Sequence, residues 1–111
     1  MGNYIVKNEE TLIRLNNWGM DKFYAQLLEA ATAIGCDDNE QLMEFIERLD
    51  QDTYGRGCIY VDITELNEKN KKILKGLVER VIKKIKQKDG TPDEYIELFL
   101  KLLEDFKNKI S

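Results

Sequence analysis

The chain has 111 residues, a mass of 13.0 kDa, 42% hydrophobic and 34% charged side chains and a formal net charge of −4. That length suits one domain with a real core, the composition argues against disorder, and no apolar run approaches the roughly 20 residues of a membrane span. Histidine is absent and cysteine occurs only at Cys36 and Cys58, which leaves no Ser-His or Cys-His nucleophile pair, no thiol-imidazole metal site and no disulfide framework.

Near the N-terminus, Tyr4-Ile5-Val6 is a short β-prone segment. It has no basic region followed by a long apolar stretch, so the chain is expected in the cytoplasm. Asn8 with Glu9 and Glu10, followed by Leu12, Ile13, Leu15 and Trp18, reads as a short helix closed at Gly19. Asp21 then caps a helix carrying Phe23, Tyr24, Leu27, Leu28, Ala31 and Ile34, with Gly35 as its left-handed terminator.

Asp38 and Gln41 have the spacing of a capping box for a third helix running to about Asp50. Leu42, Met43, Phe45, Ile46 and Leu49 supply its apolar stripe, and its other face is acidic. Gly55-Arg56-Gly57 breaks the chain before Cys58 to Ile63, a β-branched and aromatic strand whose obvious partner is Tyr4-Ile5-Val6.

Thr64 is placed to cap a long helix to about Lys88, with Leu66, Ile73, Leu74, Leu77, Val78, Val81, Ile82 and Ile85 on one half and lysines on most of the other. Asp89-Gly90 ends it, and Thr91-Pro92-Asp93-Glu94 starts a last helix that turns Ile96, Phe99, Leu100, Leu103, Phe106 and Ile110 inward. The expectation is a mainly α, single-domain bundle over residues 1–111. It has about five helices and one short strand or ribbon made from residues 4–6 and 58–63.

Charge is distributed in blocks. Residues 1–64 carry 5 basic and 12 acidic side chains, residues 65–88 carry 9 and 3, and residues 89–111 carry 3 and 6. An acidic body is thus joined to a basic helix.

Several constellations have chemical readings. Asp50 to Gly55 opens like a calcium loop, but its fifth position is Tyr54 and its twelfth, normally a bidentate glutamate, is Val61. Arg56 to Ile63 partly matches an RNA-recognition strand and fails at two of its aromatic positions. Glu40, Glu44 and Glu47 lie one turn apart without a nucleophile or pocket motif, so no enzymatic activity, catalytic residue, metal site or cofactor is expected. The lysine-rich segment 65–88 offers a nucleic-acid-binding regulator as one alternative, though Glu65, Glu68 and Glu79 interrupt it. A structural or adaptor subunit is another, and the oligomeric state is open.

The partner surface expected from the sequence is Asp37, Asp38, Glu40, Glu44, Glu47, Asp50 and Asp52 with Tyr54, Arg56 and Tyr60. It joins charge of one sign to the tyrosine and arginine side chains that dominate interfaces, and would steer toward a basic protein rather than a membrane.

Ile34-Gly35-Cys36, the acidic stretch Glu40 to Asp50, the glycine loop 55–57 and Ile59-Tyr60 follow one another in an order that resembles the nuclease-colicin immunity proteins over residues 21–61. The resemblance implies a small helical inhibitor of the immunity or antitoxin kind that neutralises a bacterial toxin nuclease by stoichiometric binding. Its recognition surface would be the acidic helix and the tyrosine segment. Val61 and Asp62 depart from that family's second tyrosine and following proline, and the two long C-terminal helices exceed its pattern.

Overall fold

A computed structural model describes residues 2–87 and 93–110. In chain order the elements are β1 (Asn3–Lys7), β2 (Glu10–Leu15), α1 (Asn17–Ala33), α2 (Glu40–Glu47), α3 (Gln51–Tyr54), β3 (Tyr60–Asp62), a 3-10 turn (Ile63–Glu65), α4 (Glu68–Gln87) and α5 (Glu94–Lys109). The fold is mainly α, and its sheet is larger than the expected ribbon: three strands in the order β2-β1-β3.

The segment expected as a first helix is β2, hairpinned onto β1. Asn8 and Glu9 both have positive φ (50° and 73°), the backbone that a two-residue hairpin corner needs to match strand twist. A bulge explains the misreading. Ile5 pairs with Ile13 and Val6 with Thr11, so Leu12 is the extra residue. Leu12 and Ile13 are consequently both buried in succession, imitating helical spacing.

The expected pairing of residues 4–6 with the later strand is present and parallel, with Tyr4 opposite Tyr60, Ile5 opposite Val61 and Val6 opposite Asp62. That strand is shorter than expected, because Ile63 already opens the 3-10 turn.

Caps also fall on different residues from those the sequence suggests. Asn16, not Asp21, caps α1 by accepting from the Gly19 amide at 2.7 Å, so Gly19 lies inside the first turn and does not end a helix. The far end is as expected: Gly35 (φ 77°) allows Cys36 N–H to reach the Ala31 carbonyl at 2.8 Å.

Asn39, not Asp38, caps α2, and Gln41 does not close a capping box. Its Oε1 accepts instead from Asn67 N at 3.0 Å and Asn70 Nδ2 at 2.7 Å. Asn67 in turn caps α4 through the Asn70 amide, the role expected of Thr64. Helix α2 stops at Glu47, and Asp50 caps the separate turn α3. Asp93 caps α5; the expected signals at Lys88 to Pro92 lie outside the described residues.

The core forms where α1, α4 and α5 pack on one another and on the inner face of the sheet, with Phe23 and Phe106 meeting edge to face at 5.9 Å. Among the described residues three polar side chains are buried, Asn3, Gln51 and Asn70. Gly76, halfway along α4, is exposed and has no heavy atom within 4 Å of where a Cβ would stand. A mid-helix glycine costs about 0.5–1 kcal/mol relative to alanine, and nothing packed here requires one.

Asp62 secures the β3 end. Its carboxylate accepts from Thr64 N (2.9 Å), Thr64 Oγ1 (2.8 Å) and, across 54 residues, Asn8 N (3.2 Å). Bonds from the Thr64 amide and hydroxyl hold its pKa below the ordinary carboxylate value. A depressed carboxyl stabilises the fold above the unfolded-state value of about 3.9 and loses that contribution as pH falls through the folded-state value. Asp62→Ala is expected to cost about 1 kcal/mol at pH 7 and to narrow toward the unchanged chain in denaturant titrations taken to pH 2. An equal difference at both pH values would refute this role.

Candidate protein-docking surface

Helix α2 is amphipathic over only eight residues. Leu42, Phe45 and Ile46 are buried, which turns Glu40, Glu44 and Glu47, spaced i, i+4, i+7, to water within about 60° of arc. All three are exposed and none forms an ion pair among the described residues. Asp37 and Asp38 extend the patch from the turn before the helix and are also exposed.

The lysines of α4 do not neutralise this face. Lys84 pairs with Glu29 of α1, Lys86 with Glu104 of α5 at 3.1 Å and Lys71 with Glu68 on its own helix at 3.0 Å. Near α2, the basic side chain that finds a partner is Arg48, on Glu65.

The remaining sequence-predicted residues are placed separately from that face. Asp50 is half-buried and engaged in capping α3. Asp52 and Arg56 form a second group with Asp21: the guanidinium lies 3.0 Å from Asp21 and 3.7 Å from Asp52. Arg56 is therefore held by two carboxylates of its own chain and is not a free anchor. Gln51 fixes this corner from below, donating to the Asn17 carbonyl and Asp21 at 2.8 Å each and accepting from Gly57 N at 3.1 Å.

Tyr54, 54% exposed, ends α3 and remains available. Tyr60 is 61% exposed, but its neighbours are on the outer face of the sheet. Its ring stands 6.3 Å from Tyr4, whose ring lies under the Arg14 guanidinium at 5.6 Å. Arg14, Tyr4 and Tyr60 thus form one row across β2, β1 and β3.

Tyr24 of α1 is half-buried against the core and borders the acidic patch. Burial first, then the charges of Asp50 and Glu47, push its phenol pKa up, so the hydroxyl stays protonated as a donor. A second feature absent from the sequence-derived surface is a groove of about 250 Å³ between the start of α1 and α5, lined by Arg14, Trp18, Tyr95, Leu98 and Leu102. The usable signal was that Tyr95 and Leu98 fall outside α5's inward stripe.

Cys36 and Cys58 are free thiols. Among the described residues no group of three or more His, Cys, Asp or Glu side chains is placed to hold a metal ion, and no helix is long and apolar enough to cross a membrane. No family model, curated protein or solved structure matches the chain.

Proposed function

We propose that this protein is a stoichiometric inhibitor of the immunity or antitoxin kind, which captures a basic protein such as a toxin nuclease on the acidic face of α2. The observation that carries the reading is that Glu40, Glu44 and Glu47 stand together, exposed and without internal cations. Unpaired charge of one sign steers a partner of the opposite sign and has least cost to desolvate where no intramolecular bond must first break. Asp37, Asp38 and Tyr54 extend the surface. Tyr24, its phenol kept protonated by burial and by the charges of Asp50 and Glu47, borders it.

The working contact is smaller than the ten residues suggested by the sequence. Arg56 and Asp50 serve internal structure, and Tyr60 belongs to the sheet row. Reversing Glu40, Glu44 and Glu47 to lysine is expected to weaken partner binding by about 100-fold or more while leaving the melting temperature within a few degrees. Isothermal titration with a captured basic protein checks both the loss and a 1:1 stoichiometry. Ligands that are only acidic or neutral, or an affinity indifferent to the reversal, would remove the proposal.

A further inference from the structure

Helix α4 carries a surface that the acidic-face reading does not use. At 100° per residue, Lys69, Lys72, Gly76, Arg80 and Lys83 fall within about 80° of arc and span about 21 Å along the axis. All five are exposed, and none of the four cations has an ion-pair partner among the described residues. Of the cations that are paired, Lys84 and Lys86 flank this arc on its two sides, and Lys71 lies round the helix from it. Glu29 and Glu104 thus neutralise the lysines at the two edges of the arc, Glu79 lies about 20° outside it with no ion pair among the described residues, and the four cations of the crest keep their charge.

Two features of that crest work against the helix itself. Lys69 with Lys72 and Arg80 with Lys83 are like charges one turn apart, which weakens a helix by an amount that Glu68 and Glu79, four residues before Lys72 and Lys83, offset only in part. Gly76 sits between the two pairs with open space where a side chain would be, again a choice that folding does not favour. Both become intelligible if a polyanion lies along the crest: the cations displace its counterions, and the missing side chain lets it approach the helix backbone.

We infer that the crest of α4 docks the phosphate backbone of double-stranded nucleic acid without reading its sequence. The arc contains no aromatic ring on which unpaired bases would stack. It also offers no apolar side chain to enter a lipid surface. A band of four cations along about 21 Å of helix suits a stiff, regularly charged duplex.

Fluorescence anisotropy of two labelled 20-base-pair duplexes of unrelated sequence, followed from 50 to 200 mM KCl, tests this. Both duplexes should bind alike, with affinity falling roughly 150-fold over that range, as release of about four counterions requires. Replacing Lys69, Lys72 and Lys83 together by glutamine should flatten the slope by about 3 without lowering the melting temperature. Gly76→Ala should raise the melting temperature yet weaken duplex binding, a combination that a merely structural glycine cannot give. The inference is overturned by no duplex binding at 50 mM salt or by a slope that the triple substitution leaves unchanged. Tighter binding to the single strands or to phosphatidylserine vesicles than to duplex would overturn it equally, and Gly76→Ala binding at full affinity would remove the close approach at Gly76.

Discussion

Asn3→Asp is expected to destabilise the protein by about 3–5 kcal/mol at neutral pH and by much less below pH 4. Asn3 is fully buried, and its carboxamide uses both chemistries. Nδ2 donates to the Leu15 carbonyl at 3.1 Å and to Asn17 Oδ1 at 3.2 Å, while Oδ1 accepts from Ile59 N at 3.3 Å. One side chain thereby ties β1 to the end of β2, the start of α1 and the entry to β3. Aspartate preserves the shape and the acceptor but sets an anionic oxygen against two oxygens.

In the variant, burial and those two acceptors favour the protonated acid, so the folded-state pKa is raised above the unfolded-state value of about 3.9. The penalty accumulates above that value and disappears below it, where the acid proton can donate to one of the two carbonyl-type oxygens. Denaturant unfolding at pH 7 and pH 3.5 separates this from a packing defect. Asn3→Ala should cost about 2–3 kcal/mol at both pH values. A deficit for Asn3→Asp that is the same at both would show that charge is not its cause.

The same residue illustrates where sequence reading succeeds and stops. The long helices α1, α4 and α5 were legible because their apolar stripes persist for four or more turns and because Gly35 marks an end that only a left-handed residue makes. The first strand and its parallel partner were legible from β-branched and aromatic side chains. Strand β2 was not, since a bulge at Leu12 buries two consecutive residues and erases the alternation that identifies a strand.

The caps were misplaced for a related reason. Asp38 and Asn39 are both good capping residues, and the choice between them is made by Asn70, whose side chain takes the Asn39 amide at 2.7 Å and claims Gln41 as well. No pattern local to residues 38–41 contains that information. Likewise Glu40, Glu44 and Glu47 were readable as one face from spacing alone. Arg56 was not readable as occupied, because one of its partners, Asp21, is 35 residues away, nor Tyr60 as part of a sheet row with Tyr4. Periodicity places a side chain on a surface; only tertiary structure tells whether it is already engaged.

Phe106→Ala is expected to have an effect on stability as large, through a different cause. Phe106 is fully buried near the end of α5, with its ring edge to face against Phe23 of α1 at 5.9 Å and an interplanar angle of 86°. Truncation removes the apolar contact and the aromatic pairing and leaves a cavity that two helices and a sheet cannot readily close, which costs about 3–5 kcal/mol. In a small, cooperatively unfolding domain that is expected to lower the melting temperature by about 15 °C. Leu98→Ala is the matched control, a comparable apolar deletion on the same helix at an exposed position, with an expected cost below about 1 kcal/mol. Calorimetric melting of the two variants side by side decides the matter. If they fall within 1 kcal/mol of each other, α5 is not fastened through the Phe23–Phe106 contact, and the groove beside Tyr95 and Leu98 would have to be regarded as part of what holds it down.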